Sequence, residues 1–126
     1  MPRNMSFSMT TEQVRNGTKT VTRRLGWGNL QPGELLWAVE KAQGLRKGEK
    51  IKRIRMIRVV SIEAEPLEDL YEYPDAREEV AREGFPGMEP GEFLHLFCEY
   101  NGVTLNGWVN RIEFDYIDVR RSDERT

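Results

Sequence analysis

Apolar positions along the chain repeat with two periods, and the places where the period switches mark the predicted elements. Phe7 and Met9 share one face of Met5–Met9, which predicts a short strand. In "TTEQVRNG", Thr10 stands three residues ahead of Gln13 as in a capping box, and Gly17 supplies a stop. A helix of at most about two turns is expected there. "TVTRRL" is rich in β-branched residues, so a strand leaves the glycine turn near Thr20. "QPGE" is a turn, because Pro32 fixes its φ and Gly33 tolerates positive φ, and "ELLWAVE" follows as a strand with apolar residues on both faces.

"GLRKGEK" reads as a hairpin loop before a long strand, Ile51 to Ala64, whose apolar phase changes near Ile57. Such a change predicts a bulge or a barrel strand bent across two faces. Pro66 opens a helical turn at "PLEDL", and Asp75 caps a helix, "AREEVARE", that stops at Gly84. "EPGEFLHLFCEYNG" sets Phe93, Leu94, Phe97 and Tyr100 on one helix face, closed by Asn101 and Gly102. "WVNRIEFDYI" alternates, with Trp108, Ile112, Phe114 and Tyr116 on one side and Arg111, Glu113 and Asp115 on the other. Long strands around a helical middle place the chain in the α+β class, as a barrel or curled sheet. Residues 118–126, ending in "RRSDERT", are expected to fray.

With 126 residues, one domain spanning 1–126 is expected, and hydrophobic residues at 38% supply enough apolar surface for a core despite 32% charge. Cys98 is the single cysteine and has no internal disulfide partner; no apolar run approaches the roughly 20 residues of a membrane span. Met1 to Thr10 carries no signal-peptide core, so a reducing cytoplasm is the expected compartment. The net charge of −2 hides a segregation: Leu45–Arg58 holds seven basic residues and one acidic, Glu63–Glu92 eleven acidic and two basic. Either the two segments face each other, or the basic one meets a polyanion.

The chemistry-bearing stretch is Asn16–Arg24, "NGTKTVTRR", with one lysine, three threonines, two arginines and no carboxylate. It contains G-x-K-T-x-T-x-R, carried by Gly17, Lys19, Thr20, Thr22 and Arg24. Together with "QPGELLWAV", the "EGF" of Glu83, Gly84 and Phe85, and the final "WVNRIEFDYI", it resembles the ASCH domain family of the PUA-like superfold from about Met5 to Ile117. The resemblance implies a small PUA-like β-barrel flanked by short helices, with a cleft lined by the Lys/Thr/Arg segment and an RNA or nucleoside ligand. Some bacterial members are amidohydrolases that deacylate N(4)-acetylcytidine with a lysine, a threonine and a glutamate, which implies catalytic roles for Lys19, Thr22 and Glu83. Another member is a single-strand ribonuclease, so the resemblance leaves the reaction open.

Read physically, a threonine hydroxyl is inert unless a base takes its proton, and Lys19 can do so if burial and the charges of Arg23 and Arg24 depress its pKa. Glu83 opposes that depression if it pairs with Lys19. Arg24 shares a strand face with Thr22, while Lys19 belongs to the turn after Gly17, where alternation does not apply. The bland alternative is an ion pair of Lys19 with Glu83 closing a barrel mouth, beside ordinary strand threonines Thr20 and Thr22. Thr20, Arg23, Arg24, Trp27, Arg53 and Arg55 are the expected ligand-binding residues, cations for phosphates and an aromatic for base stacking. Lys52 belongs to the same basic strand, and Trp27 as a plug of the barrel end is the rival reading. Glu79 and Glu83, four apart, read mainly as a solvated helix face. His95 and Cys98 have metal-compatible spacing, yet one His and one Cys cannot complete a zinc site, so neither metal nor cofactor is expected. A protein-interaction domain built on the charge segregation remains the rival outside nucleic-acid chemistry.

Overall fold

The computed structural model describes residues 2–117; the expectation of a frayed tail at 118–126 lies outside them. The strands are β1 (Arg3–Ser6), β2 (Val21–Arg24), β3 (Leu35–Val39), β4 (Arg53–Pro66) and β5 (Trp108–Ile117). The helices are α1 (Thr11–Arg15), α2 (Ala76–Arg82) and α3 (Pro90–Asn101), with 3-10 turns at Ser8–Thr10 and Leu67–Glu72. One sheet runs in the order β1-β3-β4-β5-β2, antiparallel except for the β1–β3 pair.

β1 and β2 are therefore the two edges, four strand spacings or roughly 19 Å apart if the sheet were flat. Yet Arg24 of β2 donates from Nη2 to the carbonyl of Ser6 in β1 at 2.6 Å. An arginine cannot bridge a flat sheet of that width, so the sheet is curled into a half-barrel whose seam is closed by a side chain and not by a backbone ladder. The curl has a local origin: pairing between β4 and β5 shifts register between Val59 and Ser61. The extra residue, Val60, is exposed, while Ile57 and Val59 before it are buried. The apolar phase change expected near Ile57 is this bulge, displaced by three residues.

Two apolar clusters lie on opposite faces of the sheet. Met5, Phe7, Leu36, Ile57, Val59, Ile112 and Phe114 fill the concave side with Val14 of α1. Val109 meets Leu67, Leu70, Val80, Phe93, Leu94 and Phe97 under α2 and α3 on the other. The helix signals are partly as expected. Asp75 accepts from the amide of Glu78 as an N-cap, and α3 carries a full capping box of Glu89 and Glu92. Thr10 makes no side-chain cap bond, however, because Gln13 instead donates to Gly84 O at 3.1 Å and ties α1 to the end of α2.

Three sequence expectations are corrected. The first strand ends at Ser6, and Met9, in the 3-10 turn, is exposed. Tyr100, placed on the apolar face of α3, is 63% exposed. Trp108 stands at the far end of β5, 65% exposed, beyond the reach of the core its alternation pointed to. Arg111, on the polar side of the β5 alternation, is nonetheless buried, because that face of β5 is covered by α2 and not by water. No helix among the described residues is long and apolar enough to cross a membrane.

Candidate functional site

Lys19 is delivered by the turn between α1 and β2. Gly17 there has φ +82°, and a Cβ would stand 3.2 Å from Arg55 Nη1, so a side chain would be both strained and crowded. The amides of Thr18 and Lys19 donate to Gln13 O at 3.0 and 3.2 Å, and the Tyr116 hydroxyl donates to Lys19 O. With its backbone so held, the Lys19 side chain runs to the C-terminal end of α2. That end is shaped by Gly84, whose φ of +108° turns the chain where a Cβ would press on Gln13 at 3.3 Å. Lys19 Nζ donates to the backbone carbonyl of Glu83 and, at 3.1 Å, to Glu83 Oε1; each residue is 3% exposed. Burial pushes the Lys19 pKa below 10.5; Glu83 opposes the shift, and the charges of Arg24 and Arg23 add to it.

β2 sends its next side chains to two faces. Thr22 and Arg24 point into the concavity, as alternation predicts. Arg24 Nε donates to Thr22 Oγ1 at 3.0 Å, and its guanidinium lies 4.7 Å from the Phe7 ring centre. Among the described residues no carboxylate pairs with Arg24, and burial brings its pKa down to about 10.

Arg23 points the other way, into a buried charge layer beneath α2. It reaches Glu83 Oε2 at 2.8 Å, Glu79 Oε2 at 2.8 Å and Glu65 Oε2 at 3.0 Å. Directly across the ladder from Arg23 is Arg111, a like-charge pair that would repel on its own. Glu79 resolves this by taking Arg111 in a two-pronged pair at 2.6 and 3.0 Å while also holding Arg23. Glu79 is 4% exposed, so the solvated-face reading of Glu79 and Glu83 is corrected for both residues. Burial by itself raises the Glu79 pKa, but the Arg111 hydrogen bond and both arginine charges bring it below 4.5. For Arg23, burial alone would lower the pKa, and the carboxylates led by Glu83 raise it instead. Tyr73 completes the layer, donating to Glu65 Oε1 at 2.8 Å under the Arg23 guanidinium.

A cleft of about 530 Å³ opens along the seam between the edge strands. Asn4 and Ser6 line it from β1, Thr22 and Arg24 from β2, with Lys19, Arg23 and Glu83 at the polar end. Phe7, Phe85, Phe97, Trp27 and Tyr100 supply aromatic wall. Trp27 has a left-handed backbone, φ +71°, between Gly26 and Gly28, and Arg3 stacks on it at 4.9 Å.

Six of the expected residues thus meet in one place: Lys19, Thr22, Arg23, Arg24, Trp27 and Glu83. Three do not. Thr20 precedes the strand, and its hydroxyl accepts from Arg82 Nε at 3.0 Å, outside the cleft. Arg53 and Arg55 lie over the Trp37 and Tyr116 rings at 4.4 and 4.3 Å, away from the lining. His95 is exposed beside Glu99 at 3.5 Å. Sequence reasoning missed Glu79, Arg111 and Tyr100; the first two became findable only once Arg23 and Arg111 were known to be cross-strand partners. Chemically, the cleft offers a buried amine, a hydroxyl held by a cation, and an arginine whose acceptors among the described residues are neutral oxygens.

No family model matches the sequence, and no curated protein matches it. Solved structures do. An ASCH domain from Lactobacillus crispatus JV V101 is 16% identical, with 90% of this chain and 78% of that one covered at a TM-score of 0.59. A protein from Enterococcus faecalis V583 is 16% identical over 96% and 83% of the chains, also at 0.59. A tyrosine-to-phenylalanine variant of an ASCH protein from Zymomonas mobilis is 12% identical over 98% and 81%, at 0.58. The fold of this chain, a curled sheet with short helices around a seam cleft, is the ASCH-domain fold.

Proposed function

We propose that the seam cleft binds a nucleoside or a single-stranded RNA nucleotide. The observation that carries this reading is Arg24: a largely buried cation without a carboxylate partner among the described residues, aimed into a cleft of about 530 Å³ with aromatic walls. That volume falls within the ordinary range for small-molecule sites. An uncompensated guanidinium in a concave site gains from a carbonyl or anionic oxygen, and the flat rings of Trp27 and Tyr100 suit a base.

A second reading, hydrolysis of an N-acylated cytidine, is favoured by the side chains at the polar end. The buried amine of Lys19 has its pKa lowered, and Arg24 donates to Thr22 Oγ1, which favours the deprotonated oxygen. Lys19 would take the hydroxyl proton as the Thr22 oxygen adds to the acyl carbon. The carbon–nitrogen bond then breaks, the proton passes to the departing exocyclic nitrogen, and water releases the acid from Thr22. Glu83 orients the amine.

Incubation with N(4)-acetylcytidine, followed by chromatography for cytidine and by tryptophan fluorescence for binding, tests both. Conversion that falls about 10³-fold or more in Lys19→Ala supports the hydrolase. Binding without conversion removes the hydrolase and keeps the site. No binding of either nucleoside or short RNA removes both.

A further inference from the structure

Beside the seam cleft lies a second depression of about 210 Å³, and Ser8 and Lys41 line both, so the two form one continuous surface. Its charged residues divide unevenly. Glu40 is taken by Arg15 at 3.0 Å, and Glu49 by Lys41 at 3.5 Å and by the Arg46 amide at 2.8 Å. Lys50 and Lys52 also line it, and among the described residues neither pairs with a carboxylate. Against the two carboxylates the depression carries three ammonium groups, Lys41, Lys50 and Lys52, and although the Lys52 charge also helps to lower the Glu49 pKa, a positive excess remains there. Arg46 and Lys47 of the same loop add to that excess, whereas Arg58 further along is paired with Asp115 at 2.9 Å. Of the acidic segment, Glu65, Glu79 and Glu83 are committed to the buried layer around Arg23.

We propose that this lysine-lined depression holds a phosphate group attached to the base-bearing ligand of the seam cleft, which makes that ligand a nucleotide and not a free nucleoside. The proposal rests on the nucleoside reading of the cleft and adds the part of the ligand that leaves it past Ser8 and Lys41. A phosphate fits the chemistry: it needs several donors and a positive potential, and it tolerates the water that exposed lysines keep. The phosphate belongs either to a free nucleoside monophosphate or to an RNA strand.

The test compares N(4)-acetylcytidine, its 5′-monophosphate and a tetranucleotide containing it, by calorimetry, on the intact chain and on the Lys50→Ala/Lys52→Ala double variant. Both lysines are exposed, so the double variant keeps the fold. The expected result is a gain of about tenfold for the phosphorylated ligand at low salt, shrinking as salt rises and absent in the double variant, whose nucleoside affinity is unchanged. A larger gain for the tetranucleotide identifies a strand as the source, and equal gains identify a free nucleotide. No gain, or a gain that survives the double variant, overturns the proposal. If the nucleoside itself does not bind, inorganic phosphate followed through the backbone amides of residues 40–52 decides separately: shifts in the wild type that vanish in the double variant support the phosphate site, and none overturn it. Displacement of phosphate by a polyglutamate peptide at equal charge concentration also overturns it, in favour of an acidic protein surface.

Discussion

The two faces of β2 treat adjacent arginines in opposite ways. On the convex face Arg23 meets three carboxylates within 3.0 Å, and its pKa is raised. On the concave face Arg24 meets a hydroxyl, a carbonyl and a ring, and its pKa falls to about 10. The difference separates structure from availability: a buried charge whose partners lie inside the protein fixes the fold, whereas one left with neutral acceptors has interaction energy to spare for a ligand.

The contrast breaks most visibly in stability. Arg23→Gln takes a shared cation from Glu65, Glu79 and Glu83, leaving Glu79 with Arg111, Glu83 with Lys19 and Glu65 with Tyr73, and should cost about 3–5 kcal/mol, read from urea unfolding. Arg24→Gln removes no carboxylate's partner among the described residues, and should cost about 1.5–3 kcal/mol while weakening the binding of N(4)-acetylcytidine roughly tenfold or more. Equal losses of stability in the two variants would erase the distinction between the faces.

The smallest effect is in pH. Glu79 has its folded pKa below 4.5, so the folded state holds fewer protons than the unfolded one in the window between those values. Its contribution is complete above pH 4.5 and drains away as pH falls through the folded pKa. Unfolding midpoints between pH 7 and 3 should therefore drop below pH 4.5, with a shallower drop in Glu79→Gln; parallel curves would show that the layer is not held by that carboxylate.

Much of this was legible locally. Gly17, Asp75 and Gly84 are read from the demands that turns and caps make on single residues, and the alternation of Thr22 with Arg24 held. Lys19, Thr22 and Glu83 came together as the motif resemblance implied, with Lys19 in the turn. What resisted reading depends on pairing across distance. Nothing near Glu79 announces Arg111, which lies thirty-two residues further along the chain and faces Arg23 through the β2–β5 register. The same holds for Arg111 itself: alternation correctly assigns it to the outer face, but only the docking of α2 decides that this face is dry. Thr20 stays out of the cleft lining for a local reason, since it sits one residue ahead of the strand and its hydroxyl accepts from Arg82.

The seam has a mechanical consequence. Because β1 and β2 are joined by Arg24 and Ser6 without a backbone ladder, the half-barrel can widen there for the loss of one charge-assisted hydrogen bond, about 1.5–3 kcal/mol. A ladder of four residues would resist the same displacement several bonds at a time. A ligand that drew the Arg24 guanidinium away from Ser6 would release this latch, so the grip on a guest and the gape of the barrel meet at the same side chain.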